Sequence, residues 1–321
     1  MKKNRILLQI IAGLLIIVFI LNKIDKNKLF SALRETDAFY FILACLSYFC
    51  LNLILSTRLR YLLKKIGYQI KFQQVFLSHM GGMILGDITP GRGGYFVTPA
   101  ILKKRAGTTI TDGMACIFAP QAVEFILKVG GAFAAILFIS HLPGINRDLL
   151  ISAGIGSIIL LIVGILMLVL SWKNENISSN FLGNIPFFRK FTDNLSSFKE
   201  KSVDIKESMN AIILLSLIGW IFASLHWYYL GTSLGIRDSS GIPLPFYVYI
   251  LLHPLLSILM FIPLTPAGLG LMEGGIFMVL SLFGVSPELS IAFSVLIRVS
   301  ILLVDLIGLR SILSSLRDIE L

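Results

Sequence analysis

Charged side chains within apolar stretches are the residues of this 321-residue chain best suited to chemistry. Glu124 and Lys128 are four residues apart and can pair along a helix, and Arg298 and Asp305, seven apart, also share one helical face. A charge at the centre of a bilayer costs about 2.5–3.5 kcal/mol even on translocon scales. We therefore expect these four side chains to face the protein interior or water, and to bind a substrate or neutralise one another.

Two glycine- and proline-rich stretches carry the remaining candidates: GDITPGRGGYFVTP at 86–99 and IPLTPAGLGLMEGG at 262–275. Glycines permit left-handed backbone and close approach, and prolines stop an incoming helix. The helix that starts beyond each break directs free N–H groups towards it, which suits a phosphate. A tight turn needed only for packing is the alternative. The substrate-binding residues predicted from the breaks and the charges are Asp87, Thr89, Gly91, Arg92, Gly93, Gly94, Glu124, Lys128, Thr265, Gly268, Gly270, Glu273, Arg298 and Asp305.

The sequence offers little for catalysis or for a metal. His79 and His253 occupy similar places near the two breaks but have no partner at metal-ligand spacing, so hydrogen bonding is the expected role. The three cysteines fall in apolar segments and predict neither a disulfide framework nor a metal site. There is no phosphate-binding Walker loop, HExxH motif or nucleophile elbow. We expect no catalytic residue, no metal, no cofactor and no enzymatic activity.

The elements that must position these residues are membrane helices. Hydrophobic residues make up 56% of the chain and charged residues 14%, against about 25% charged in a soluble domain. Apolar runs predict spans at 6–22, 38–56, 111–140, 149–171, 209–231 and 287–309, and hairpins interrupted by the two breaks at 72–105 and 246–284. The net charge of +10 lies mainly in loops, which indicates topology and lipid contact, not nucleic-acid binding.

The distribution of basic residues predicts the orientation. With the N-terminus inside, 19 of the 28 Lys and Arg residues fall in inside segments, 6 in outside segments, and three in or beside the membrane. Both termini of this multi-pass chain are therefore expected in the cytoplasm, with the protein in the cell membrane. Whether the hairpins cross the membrane fully or re-enter on one side stays open, because both alternatives leave the segments that follow them on the same side of the membrane.

The two halves of the chain resemble each other. When Ile88-Thr-Pro-Gly91 is placed over Leu264-Thr-Pro-Ala267, Gly94 falls on Gly270 and the neighbouring spans align. The loop charges orient the halves oppositely, and such inverted repeats with matched interruptions indicate a transporter with a site near the midplane. The fold expected is an all-α polytopic membrane bundle of two inverted repeats, each with a re-entrant broken-helix hairpin. We expect one membrane domain over 1–321. Within it, residues 1–37 form the first span and an outside loop, and residues 38–140 form repeat 1. Residues 141–208 form a connecting span and a cytoplasmic loop, and residues 209–321 form repeat 2.

Two segments resemble a known family. PLTPAGLGLMEGG, followed by an arginine in the next span, is similar to the C-terminal signature of the lysylphosphatidylglycerol synthase membrane-domain family, and ITPGRGGYFVTPAILKKRAG to its first-half motif. Residues matching that pattern are Thr89, Pro90, Gly91, Gly93, Gly94, Thr265, Pro266, Gly268, Gly270, Glu273 and Arg298. The chain departs from it at Ala267, Phe125 and Lys128, and the last two bear on headgroup specificity.

The resemblance implies a stand-alone lipid or glycolipid translocase (flippase) without the soluble synthase domain. It would move an anionic headgroup of a membrane lipid or polyprenyl-linked lipid between leaflets. Two alternatives stay open: a scaffold of a cell-envelope glycosyltransferase, and a polyprenyl-diphosphate phosphatase. A homodimer or an envelope-biosynthesis partner is also left open.

Overall fold

The computed structural model describes residues 22, 24–141, 147–172, 195–262, 265–266 and 268–311. Within them the chain forms helices and isolated bridges, with no extended strand, so the all-α expectation is confirmed. The predicted first span at 6–22 lies outside the described residues except for residue 22.

Eleven α-helices are described in this part of the chain. They are α1 (Lys26–Arg34), α2 (Ala38–Lys65), α3 (Phe72–Asp87), α4 (Thr98–Ala106), α5 (Ile110–Ser140), α6 (Arg147–Trp172), α7 (Leu195–Lys206), α8 (Met209–Ser233), α9 (Phe246–Ser257), α10 (Leu271–Ser281) and α11 (Pro287–Asp305). Short 3-10 helices lie before α4 at Gly93–Val97, after α9 at Ile258–Phe261 and after α11 at Leu306–Gly308.

Four of the described helices are long and apolar enough to cross a membrane. These segments are Ala38–Lys65, Ile110–Ser140, Met209–Ser233 and Pro287–Ser311, with 25 to 31 residues each. At 1.5 Å per residue the shortest extends about 37 Å, beyond the roughly 30 Å of hydrocarbon. The predicted 149–171 span coincides with α6. Each predicted hairpin is a pair of shorter helices, α3 with α4 and α9 with α10.

Helix α2 continues nine residues beyond the span predicted at 38–56. The sequence predicts the end of this span at the first basic residues, but Leu59, Leu62 and Leu63 are buried in the core. The helix begins where the Asp37 carboxylate accepts hydrogen bonds from the first free N–H groups. As a result Arg58, which follows the end of the predicted span, lies within the helix and is only 6% exposed.

The core forms where the two halves pack together. Helix α2 packs along α8, α5 packs on both α6 and α9, and α11 packs on α2, α3 and α10. At the end of α2, Tyr68 donates a hydrogen bond to Asp112 Oδ2 at 2.6 Å, which ties this turn to the start of α5. Burial, and then this hydrogen bond, raise the pKa of Tyr68. The orientation of the two halves across a membrane stays a prediction.

Candidate functional site

The first break is a compact loop between α3 and α4. Its backbone turns through the left-handed conformation at Gly91 (φ +61°) and Arg92 (φ +55°), and Arg92 is the non-glycine residue of the described chain with positive φ. Thr89 Oγ1 donates to the Leu85 carbonyl at 2.9 Å and accepts from the Gly94 N–H at 2.6 Å. A threonine hydroxyl thus closes the loop.

Thr89→Val should destabilise the purified protein by about 1–3 kcal/mol, because the buried Gly94 N–H loses its acceptor. Thermal unfolding in detergent measures the change. Thr89→Ser keeps the hydroxyl and should stay near wild type. Equal stability of the valine and serine variants would show that this hydrogen bond does not hold the break.

The second break is held by a carboxylate instead. Gly268 and Gly270 have φ of +68° and +84°. Glu273, 6% exposed in the first turn of α10, accepts a hydrogen bond from the Gly270 N–H at 2.6 Å through Oε2. Its other oxygen, Oε1, pairs with Arg298 Nε of α11. Glu273 and Arg298 therefore brace the second break and do not stand alone in hydrocarbon.

The two breaks contact each other. Pro90 and Pro266, the residues placed on one another by the sequence repeat, form an isolated antiparallel bridge. The Gly/Pro segments of the two halves consequently meet within the protein. Because proline has no N–H, neither Pro90 nor Pro266 can donate a hydrogen bond to the other.

A buried ionic cluster joins α2, α5 and α8. Arg58 Nη1 lies 2.6 Å from Glu124 Oε1 and donates to Ser216 Oγ, also at 2.6 Å. Lys128 Nζ lies 3.9 Å from Glu124 Oε2 and 4.7 Å from the centre of the Phe261 ring. The predicted Glu124–Lys128 pair is present, but Arg58 is the nearer partner. Sequence reading missed Arg58; the continuing leucine pattern of α2 was the available signal.

A second polar group lies at the end of α3. Arg92 Nη2 lies 2.5 Å from Asp87 Oδ1, and Tyr48 donates to Asp305 Oδ2 at 3.1 Å. Asp305 is fully buried. The sequence placed Arg298 and Asp305 on one helical face, but each has its partner on another element: Glu273 for Arg298, and Tyr48 for Asp305.

The histidines have hydrogen-bonding or packing roles. His79 is fully buried between Tyr95 Oη (3.1 Å from Nδ1) and Asn52 Oδ1 (3.0 Å from Nε2). His226 lies within α8, with Nε2 2.7 Å from Ser300 Oγ. The His253 ring packs edge-on against Trp227. In the described residues no three His, Cys, Asp or Glu side chains are grouped so as to hold a metal ion.

A cavity of about 170 Å³ lies among α2, α3, α5, α8 and α9. At about 10–15 Å³ per water it has room for roughly 11–17 waters. Of the predicted binding residues, Gly91, Arg92, Glu124 and Lys128 line it. The other predicted residues, which form the breaks or lie behind them, are absent from its wall: Asp87, Thr89, Gly93, Gly94, Thr265, Gly268, Gly270, Glu273, Arg298 and Asp305.

The wall also contains polar residues that were not predicted to bind substrate: Arg58, His79, Gln121, Ser216, His226, His253 and Ser257. The rest of the wall is largely aromatic and aliphatic, and includes Leu51, Leu55, Trp220 and Phe261. The cavity therefore combines a buried ionic patch with an apolar surface.

The sequence matches known proteins over almost its whole length. The profile of the lysylphosphatidylglycerol synthase TM region matches residues 6–308. A UPF0104 membrane protein of Methanocaldococcus jannaschii is 25% identical, covering 99% of this chain and 96% of that protein. A UPF0104 membrane protein of Pyrococcus horikoshii is 27% identical over 83% of this chain and 84% of its own. One of Methanothermobacter thermautotrophicus is 22% identical, with coverages of 97% and 95%.

Proposed function

Because the chain belongs to the lysylphosphatidylglycerol synthase transmembrane-region family, we propose that it is a membrane lipid translocase that moves an anionic, phosphate-bearing headgroup between leaflets. The observation that carries the proposal is the cavity with the Arg58–Glu124–Lys128 cluster and Arg92 in its wall. A headgroup crossing a bilayer needs such polar compensation, because an isolated charge in hydrocarbon is prohibitive.

The charges of the wall favour an anion. Arg58, Arg92 and Lys128 line the cavity, whereas Glu124 is the carboxylate in its wall. Arginine can hold phosphate oxygens with two parallel hydrogen bonds, and lysine supplies a mobile point charge. The excess of cations over carboxylates on this wall therefore suits a phosphate diester or monoester.

Of the three cations in this wall, Lys128 lies farthest from its carboxylate partner. Its 3.9 Å separation from Glu124 exceeds a hydrogen-bond distance, whereas Arg58 and Arg92 have partners at 2.6 Å and 2.5 Å. Lys128 can therefore turn to an entering phosphate while the two arginines keep their contacts. We assign it the first contact with the headgroup.

The apolar part of the wall fits the remainder of a lipid. Leu51 and Leu55 of α2 face Gly219 of α8, where a side chain larger than glycine would approach Leu51 to 3.2 Å. Trp220 is fixed beside them by its Nε1 hydrogen bond to the Ile250 carbonyl at 3.1 Å. The glycerol or isoprenoid stem next to the headgroup can pack on these groups while the acyl chains stay in lipid. Rocking of one half against the other would change the leaflet to which the cavity opens.

Lys128→Met should slow movement of a fluorescent phosphatidylglycerol by about tenfold, because removing one charged hydrogen bond costs roughly 1.5 kcal/mol or more. The measurement is a leaflet-accessibility assay in proteoliposomes with a membrane-impermeant quencher. The fold should survive, since Glu124 retains Arg58. Lys103→Met is the matched control, because Lys103 is exposed at the end of α4.

Movement of phosphatidylglycerol by wild type at the rate of empty vesicles would refute the translocase. Co-purification of a stoichiometric partner would then favour the scaffold alternative. Release of inorganic phosphate from a polyprenyl diphosphate would favour the phosphatase. Equal rates for the Lys128 variant and wild type would remove the first-contact role of Lys128 and leave the translocase standing.

A further inference from the structure

Gln121 presents a carboxamide without a partner to the cavity. It lies on α5 one turn before Glu124, is 9% exposed, and forms part of the cavity wall. Among the residues that the structure describes, none forms a hydrogen bond with its side chain. A buried amide that has lost water and gained no partner is costly. Gln121 is therefore placed to bond a group that enters the cavity.

A chain of hydrogen bonds fixes the hydroxyl of Tyr95, another residue of this wall. Asn52 Nδ2 donates to the Tyr48 carbonyl at 2.9 Å, which turns Asn52 Oδ1 towards His79 Nε2 at 3.0 Å. An amide oxygen only accepts, so Nε2 carries the hydrogen. His79 is fully buried and bonded to neutral groups, so its ring is uncharged and Nδ1 is an acceptor. The Tyr95 O–H therefore donates to Nδ1, at 3.1 Å.

This arrangement leaves the Tyr95 oxygen able only to accept a hydrogen bond from a ligand. An ionised phosphate diester has no hydrogen to offer, so Tyr95 suits a neighbouring, uncharged part of the headgroup. The next residue, Phe96, packs against Phe118 of α5 with ring centres 6.2 Å apart, one turn before Gln121. The segment that carries Tyr95 is thus packed beside the part of α5 that carries Gln121.

Together the two side chains fit a hydroxyl group. The Gln121 carboxamide both donates and accepts, and Tyr95 accepts. A hydroxyl also donates and accepts, whereas an ammonium only donates and an ionised phosphate only accepts. An ammonium would in addition meet the excess of cations over carboxylates on this wall. A neutral hydroxyl next to the phosphate satisfies both side chains without that repulsion.

We propose that Tyr95 and Gln121 form a hydroxyl subsite, so that the cavity selects an anionic lipid whose phosphate is esterified to a polyol such as glycerol or a sugar. The proposal rests on the proposed translocase function and names its substrate class. The phosphate lies against Lys128, and the hydroxyls beyond it bond Gln121 and Tyr95. Asn52 and His79 are positioning residues, because they act through the Tyr95 hydroxyl.

Two short-chain, monomeric lipids test the subsite: phosphatidylglycerol and phosphatidylethanol, each titrated by calorimetry into the full chain in phosphatidylcholine nanodiscs. Both carry one phosphate diester charge, and only phosphatidylglycerol has free hydroxyls. Wild type should bind phosphatidylglycerol about tenfold more tightly, because phosphatidylethanol leaves both side chains without a ligand partner. Equal affinity for the two lipids, or binding of neither, would overturn the proposal.

Gln121→Met keeps the side-chain length and removes the amide. It should lose most of the preference and keep at least the wild-type melting temperature, since no hydrogen bond to another residue of the described chain is lost. Gln73→Met, the same substitution at an exposed position of α3, should keep the full preference. Tyr95→Phe should also weaken the preference, and should lose stability because His79 Nδ1 loses its donor.

A Gln121→Met protein with the wild-type preference would exclude Gln121 from the subsite, and the wild-type comparison decides even if a variant does not fold. Movement of fluorescent forms of both lipids in proteoliposomes separates this proposal from the translocase. Equal movement of the two lipids refutes the subsite and leaves the translocase standing. Preferential binding of phosphatidylglycerol without movement of either refutes the translocase and keeps the subsite. Free glycerol phosphate that binds as tightly as phosphatidylglycerol would refute a lipid as the ligand.

Discussion

Gly94→Ala should leave little correctly folded protein, because the added methyl group has no space. A side-chain carbon at this position would lie 2.2 Å from the Leu85 carbonyl oxygen, 2.5 Å from its carbon and 2.7 Å from Thr89 Oγ1. The first two atoms are backbone of α3, so a rotamer change cannot relieve the clash. Overpacking ordinarily costs about 1–3 kcal/mol, and we expect the upper end or beyond. Yield of monodisperse protein and its melting temperature in detergent measure the loss.

Gly93→Ala is the matched control for this substitution. No atom lies within 4 Å of a side-chain carbon added at Gly93, and its φ is not positive. The neighbouring glycine should therefore accept alanine with near wild-type yield. Similar behaviour of the two variants would contradict the tight approach of Gly94 to α3.

Arg58→Met should destabilise the protein by about 3 kcal/mol, because it leaves Glu124 buried without its nearest cation. Lys128 can partly compensate, so the low end of the range for broken buried pairs applies. Movement of phosphatidylglycerol should fall by more than in Lys128→Met, since both a wall cation and the Ser216 contact are lost. Chemical unfolding and the proteoliposome assay measure the two effects separately.

Lys64→Met, six residues further along α2, is the control for Arg58. Lys64 is exposed in the last turn of the helix, and its loss should leave both stability and lipid movement unchanged. Arg58→Lys keeps the charge and should fall between wild type and the methionine variant. A stable, fully active Arg58→Met protein would exclude the ionic cluster as a functional element.

The breaks and the long helices could be predicted from sequence because their signals are local. Apolar runs mark α5, α8 and α11, and the Gly/Pro segments mark the loops on either side of Pro90 and Pro266. The ionic partners could not be predicted in the same way. Spacing along one helix identified Glu124 with Lys128, but it cannot join Arg58 to Glu124 or Glu273 to Arg298, because packing of separate helices makes those contacts.

The sequence predicts the end of α2 too early, and the reason is physical. A basic residue normally marks the edge of a span. Arg58 is nevertheless buried in the core, because it forms an ion pair with Glu124 of α5. When the partner of a buried charge is far away in the sequence, the segment around that charge gives no sign of the partner. The charged residue then looks like part of a loop. The same holds for Asp305, whose hydrogen-bond partner Tyr48 belongs to the other half of the chain.

The bridge between Pro90 and Pro266 fixes where the two breaks meet. Because proline has no N–H, the main-chain hydrogen bonds that define this bridge are made by neighbouring residues and not by the prolines themselves. Thr89 and Glu273 meanwhile keep each loop intact from within its own half. Each loop is therefore shaped by contacts within its own half, and the bridge joins two preformed loops.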